Sequence, residues 1–135
     1  MTMGLFEALD AGADTVVLSD AAGNVVEGPG FNVFAVRGGR LITPAEGVLE
    51  GITRRTVVEI AGTLGVPVEV RALPAEELRS ADEAFLSSSG GGVLPVSTVD
   101  GRKIGKGEPG EITRRVLQMY WDWHYEPRYS VPVRY

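Results

Sequence analysis

The stretch VVEGPGFNVFAV, residues Val25 to Val36, sets one acid, Glu27, beside Gly28-Pro29-Gly30 and an Asn, among residues that otherwise read as strand. Its β-branched and aromatic residues predict a strand that resumes at Val25, breaks at Gly28-Pro29-Gly30 and continues as Phe31 to Val36. Glu27 then projects to one sheet face, and the glycines leave space beside it. A solvated carboxylate in an exposed hairpin is the ordinary fate of such a residue. Space beside an acid is also what a ligand requires.

Upstream, Leu5 to Ala11 predicts a short helix, and Asp14 to Ser19 (DTVVLS) a strand that turns at Asp20-Ala21-Ala22-Gly23-Asn24. Downstream, Gly38-Gly39 turns the chain into Arg40 to Thr43, which completes a meander. The apolar positions Ile52, Val57, Ile60, Ala61 and Leu64 recur at helical spacing, and Gly65 with Pro67 marks the exit. A strand at Val68 to Ala72, a short helix at Pro74 to Arg79, and strands at Ala84 to Ser88 and Val93 to Val99 follow. A last helix starts near Pro109 and buries Ile112, Val116, Met119, Tyr120 and Trp123, and the tail from Pro127 to Tyr135 is extended. The fold class is mixed α/β.

Composition narrows the function. The 135 residues, 44% of them hydrophobic, fit one domain spanning 1–135. No apolar run is long enough to span a bilayer, and the opening MTMGLFEALD lacks the basic flank and apolar core of a signal peptide, so a cytoplasmic protein without a membrane partner is expected. With no Cys and one His, His124, a metal centre built from this chain is not expected. His124 sits among Trp121, Trp123 and Tyr125 and reads as a packed or surface residue. A net charge of −5 without basic runs argues against a nucleic-acid partner.

Two further stretches offer anion sites. Leu49-Glu50-Gly51-Ile52-Thr53 leads through a glycine into a helix, whose first-turn N–H groups and dipole favour a negative charge, although almost any helix start does so. Ser87-Ser88-Ser89-Gly90-Gly91-Gly92 combines hydroxyls with a backbone able to form an anion nest, or else is a flexible linker. Gly101-Arg102-Lys103-Ile104-Gly105-Lys106-Gly107 has neither the spacing nor the Ser/Thr of a phosphate loop. Two anion elements and one carboxylate suit a ligand with a phosphate at one end and a protonatable ring nitrogen at the other, the shape of pyridoxal 5'-phosphate.

The ordered runs Glu27-Gly28-Pro29-Gly30-Phe31-Asn32-Val33-Phe34, Leu49-Glu50-Gly51-Ile52-Thr53-Arg54 and Phe85-Leu86-Ser87-Ser88-Ser89-Gly90-Gly91 resemble those of fold-type IV pyridoxal-phosphate enzymes. The likeness covers nearly the whole chain and leans to the branched-chain and (R)-amine transaminase branch. It implies a strand-rich pseudo-barrel sheet with packed helices, like the large C-terminal domain of those enzymes. It also implies that Glu27 pairs with the pyridine nitrogen and Leu49 packs on the ring. Ile52 and Thr53 would give backbone N–H groups to the phosphate, Ser89 would add a hydroxyl, and Gly90 and Gly91 would line the substrate side. Amino acids or amines and keto acids are the implied substrates, and a homo-oligomer the implied assembly.

The chain departs from that family in one respect. The lysine that carries the cofactor lies, in the family, just before the segment resembling Gly4-Leu5-Phe6-Glu7-Ala8, whereas here Met1-Thr2-Met3 stands there and the only lysines are Lys103 and Lys106. The family's small N-terminal domain is likewise without a counterpart. The expectation is a cofactor-binding portion that is inactive alone, with apolar surface left exposed by the missing half. The alternative is a non-catalytic binding or interaction module of the same descent.

Overall fold

The computed structural model describes residues 2–134. Helix α1 (Thr2–Asp10) is followed by the short strands β1 (Asn24–Val25) and β2 (Glu27–Gly28), then β3 (Phe31–Arg37) and β4 (Arg40–Thr43). Helix α2 (Ile52–Thr63), β5 (Val68–Val70), β6 (Leu73–Pro74) and α3 (Ala75–Arg79) lead to β7 (Glu83–Ser88) and β8 (Gly92–Pro95). The small pair β9 (Thr98–Val99) and β10 (Arg102–Lys103) precedes α4 (Glu111–Asp122), which ends in a 3-10 turn.

The main sheet has six strands in the order β5-β4-β3-β7-β8, with β2 added to β3. β3 is its spine. One side of β3 pairs antiparallel with β7 from Asn32 to Val36. The other side is shared end to end, with β2 opposite Phe31 and Asn32 and β4 opposite Ala35 to Arg37. β4 and β5 run parallel, joined by α2. Such a crossover lays its helix on one face of the sheet, here against Phe34, Val36 and Phe85. Phe34 and Phe85 stack with ring centroids 4.9 Å apart. The opposite face buries Val33, Ala35, Ile42 and Leu86 with Leu73 and Leu78. The mixed α/β class read from the sequence is the one observed.

The differences are instructive. Gly28-Pro29-Gly30 does not interrupt a strand that then continues. Pairing of Glu27 with Asn32 and Gly28 with Phe31 makes Pro29-Gly30 a two-residue hairpin turn, with Gly30 at φ +77°, a backbone value that glycine adopts without steric cost. Asp14 to Ser19 forms no paired strand. A bridge from Ser19 to Val25 and the backbone exchange between Leu18, Val26 and Glu27 hold it to the sheet, and Val17 packs against the core on the Val33 face. The run Val93 to Val99 splits into β8 and β9. Ile52 is 75% exposed and lies off the buried stripe of α2, which is Val57, Ile60 and Ala61. On α4, Val116 and Tyr120 are buried, while Ile112, Met119 and Trp123 are partly buried against the same core. The segment after Pro127 folds back: Tyr129 stacks on Trp123 at 4.4 Å and its hydroxyl donates to Glu59 at 2.7 Å. Tyr135 lies outside the described residues. No residue of α1 is buried, and Met3, Phe6 and Leu9 are exposed.

Candidate functional site

Where β2 ends and β4 begins, the side of β3 is open and the loop 44–51 climbs over it into α2. A cleft of about 210 Å³ lies there, lined by Glu27, Phe31, Asn32, Leu49, Gly51, Ile52, Thr53 and Ser87 to Ser89, together with Gly28 and Gly30. Three segments far apart in sequence supply it: the β2–β3 hairpin, the start of α2 and the end of β7.

Glu27 stands on β2, half-buried, at the mouth of the hairpin. Its Oε2 accepts the Leu49 N–H at 2.8 Å and a long contact from Asn32 Nδ2 at 3.5 Å. Oε1 accepts no hydrogen bond among the described residues. One oxygen is thus spent on holding the 44–51 loop, and the other is left for a donor from outside the loop. Gly28 is required by contact: a Cβ there would fall 2.1 Å from the Phe31 ring and 2.4 Å from the Val16 carbonyl.

Asn32 is not among the site residues that the sequence points to, yet it holds the cleft together. Its Nδ2 donates to the Leu49 carbonyl at 2.9 Å, and its Oδ1 lies where a Cβ on Gly51 would sit, 2.4 Å away. Glu27 and Asn32 therefore grip Leu49 by its N–H and its C=O. The Leu49 side chain stays 73% exposed, as an apolar plate on the rim. The available signal was a carboxamide inside the apolar run Phe31-Asn32-Val33-Phe34. Arg54 is buried behind the loop, donating to the Pro44 carbonyl and to Glu50, both at 2.9 Å. Its guanidinium fixes the loop and does not line the cleft.

The start of α2 is chemically open. Gly51 is the N-cap and provides no side-chain cap, and the first turn holds no acid. The first helical bond runs from the Arg55 N–H to the Gly51 carbonyl, so the N–H groups of Ile52 and Thr53 precede the ladder. The third segment divides its serines by role. Ser88 Oγ accepts the Gly91 N–H at 2.9 Å and closes its own turn. Ser89 lines the cleft and is exposed. Ser87 is buried beneath them.

Glu27, Leu49, Ile52, Thr53 and Ser89 are thus brought to one cleft, whereas Gly90 and Gly91 lie beside it in the β7–β8 turn without lining it. Lys103 and Lys106 border neither this cleft nor its loops. His124 stacks on Trp121 at 4.8 Å and its Nδ1 meets the Tyr120 carbonyl at 2.8 Å, an exposed residue in the 3-10 turn that follows α4. No group of three or more His, Cys, Asp or Glu side chains suited to a metal exists among the described residues. Among the described residues, no helix is long and apolar enough to cross a membrane.

Residues 1–99 match the model of the amino-transferase class IV family. The chain is 37% identical over 121 residues to a branched-chain-amino-acid aminotransferase of Pseudomonas aeruginosa, covering 89% of this chain and 39% of that one. Among solved structures it superposes with a TM-score of 0.89 and 38% identity on a branched-chain amino acid aminotransferase of Thermobaculum terrenum in its PLP-form, covering 95% of this chain and 43% of that one. A branched-chain aminotransferase of Thermoproteus uzoniensis with norvaline gives a TM-score of 0.87 and 40% identity, over 95% and 43%. The chain spans about 40% of the length of the curated relatives it matches. With the family model covering residues 1–99 and the hairpin, helix start and serine turn gathered in one cleft, the chain belongs to the pyridoxal-phosphate-dependent class IV aminotransferase family, of the branched-chain aminotransferase-like kind.

Proposed function

We propose that this chain is the cofactor-binding domain of a branched-chain-type aminotransferase and holds pyridoxal 5'-phosphate in the cleft between β2, the start of α2 and the end of β7. The observation that carries the reading is the convergence of a half-buried carboxylate with an open accepting oxygen and an uncapped helix start on one cleft. The fit is chemical. The first-turn N–H groups of Ile52 and Thr53 and the Ser89 hydroxyl are donors for a dianionic phosphate, reinforced by the helix dipole. Glu27 keeps a proton on the pyridine nitrogen by accepting it as a charge-assisted hydrogen bond. Leu49 offers an apolar plate to the ring. Gly90 and Gly91, adjoining Ser89, face the substrate.

Bound in such a site, the cofactor supplies an electron-accepting ring through which an amino group passes between an amino acid or amine and a keto acid. This chain contributes orientation, charge and a dry floor. An amine nucleophile is supplied from outside these residues, because Lys103 and Lys106 do not border the cleft. The cleft volume of about 210 Å³ is below the ~300–1,000 Å³ of complete small-molecule pockets, consistent with one wall of a larger site. The 135 residues act as one cytoplasmic domain, inactive alone, and the exposed Met3, Phe6 and Leu9 of α1 are covered by the remaining half of the enzyme or by a second copy.

Calorimetric titration with pyridoxal 5'-phosphate tests this. One saturable site is expected, weakened about 10-fold or more by Glu27→Gln, the loss of one charge-assisted bond. The chain alone catalyses no transfer between amino and keto acids, and a polypeptide bringing the missing lysine restores it. Binding that is indifferent to Glu27→Gln would favour the non-catalytic module instead.

A further inference from the structure

We propose that Ser87 is a buried anion-binding residue on the floor of this cleft, donating its hydroxyl to the phosphate of the bound cofactor; this rests on the function proposed above. Ser87 is 1% exposed, and its Oγ has no hydrogen-bond partner among the described residues. Buried hydroxyls are rarely left so, since an unpaired one keeps its desolvation penalty without return.

Position explains the exception. Strand periodicity places Ser87 on the same face of β7 as Phe85, the face covered by α2 and α4. Its cross-strand partner is Asn32, whose Oδ1 lies directly under Gly51 at the start of α2. Ser87 therefore contributes to the cleft beneath the first turn of that helix. Its two neighbours have other roles, Ser88 closing the β7–β8 turn and Ser89 forming the lip. Asn32 is likewise committed, through its Nδ2, to the Leu49 carbonyl. Among these cleft hydroxyls, that of Ser87 is the one fully buried without a partner among the described residues. A phosphate oxygen lowered onto the helix start gives it the acceptor it lacks.

The idea makes an unusual double prediction, because a hydroxyl kept for a ligand costs stability in the ligand-free chain. Titration should use pyridoxamine 5'-phosphate, whose amine cannot condense with Lys103 or Lys106, against pyridoxamine, which lacks the phosphate. In Ser87→Ala, affinity for pyridoxamine 5'-phosphate falls about 10-fold while that for pyridoxamine is unchanged, the size of one charge-assisted bond. The Tm of the ligand-free Ser87→Ala chain rises by about 2–4 °C. Equal affinity of Ser87→Ala and wild type for pyridoxamine 5'-phosphate overturns the role of Ser87 and leaves the proposed function standing. A lower Tm shows that the hydroxyl already has a structural contact and also overturns it. If wild type binds pyridoxamine as tightly as its phosphate, or binds neither, the proposed cofactor site itself fails.

Discussion

Helices α2 and α4 are both 12 residues long, both follow a glycine N-cap without a side-chain cap, and both pack on the same face of the sheet. Their first turns are nevertheless finished in opposite ways. At α4, Glu83 reaches across from β7 and accepts the N–H groups of Ile112 at 3.1 Å and Thr113 at 2.7 Å, as well as the Thr113 hydroxyl at 2.6 Å. Gly110 is glycine because any Cβ would strike that carboxylate, 2.0 Å away. At α2 no acid stands in the first turn, and the helix start opens onto the cleft. The fold thus closes one helix start with its own anion and leaves the other open to the cleft, where the proposed phosphate would sit. A helix terminus means little alone; set beside its closed counterpart, the open one reads as a binding element.

The largest effect should come from opening the closed end. Glu83→Ala removes three hydrogen bonds to a part-buried carboxylate and is expected to cost about 2–3 kcal/mol. That is a fall in Tm of about 10 °C by calorimetry, with Glu83→Gln recovering part of it. If Glu83→Ala unfolds at the wild-type temperature, the cap is ornamental and the contrast between the helices loses its meaning.

Closing the open end is the converse. Ile52→Asp puts a carboxylate in the first turn of α2 at an exposed position, which should stabilise the ligand-free chain by about 0.3–1 kcal/mol. Affinity for pyridoxamine 5'-phosphate should drop at least about 10-fold through like-charge repulsion, read by the same titration. Unchanged affinity would place the phosphate elsewhere.

A third experiment asks whether charge pairing away from the helix starts matters comparably. Arg71 donates to Glu69 at 2.8 Å and to both oxygens of Glu77, at 2.7 and 3.0 Å. Its guanidinium, chiefly through hydrogen bonding, holds the carboxyls of Glu77 and Glu69 below the usual glutamate range. Depressed carboxylates stabilise the fold above the unfolded pKa near 4.5, and that contribution is lost as pH falls through the lower folded values. Arg71→Met should therefore flatten the stability profile below about pH 4.5. At neutral pH it should cost less than about 1 kcal/mol, since the Arg71 side chain is 39% exposed. A steep acid transition retained in Arg71→Met would assign it to other carboxylates. The smallest effect is expected from Arg40→Ala, an exposed partner of Glu69 at 3.3 Å, which should leave Tm within about 2 °C. A larger drop would show that exposed pairs are worth more here than the comparison of helix starts assumes.

The legible parts were those with strong local physics. Gly38-Gly39 turns at φ +56° and +74°, the requirement of a two-residue hairpin, and the stripe Val57, Ile60 and Ala61 lies on the buried side of α2. Glu27 was conspicuous as a charge in an apolar strand. Ile52 fitted helical spacing and yet stands 75% exposed, because spacing fixes a face only once the helix start is seated, and here that start opens onto a cleft. Asp14 to Ser19 has strand composition, but strand propensity is realised only through a partner, and here the backbone pairing is confined to the bridge at Ser19 and the bonds of Leu18, while Val17 packs on the core by its side chain alone. Ser87, Ser88 and Ser89 are chemically identical in the sequence and were separable only by what surrounds each of them.

By itself the sequence determined the mixed class, the helices of the core, the glycine turns and the three runs that name the family, since these depend on periodicity and on residue types acting over a few positions. Tertiary structure alone decided that Pro29-Gly30 reverses the chain, that Asn32 and Glu27 clamp Leu49, that Glu83 closes α4 while α2 stays open, and that Ser87 lies buried without a partner. Each of these is a relation between segments brought together by the fold, and burial and hydrogen-bond satisfaction come into being only when such segments meet.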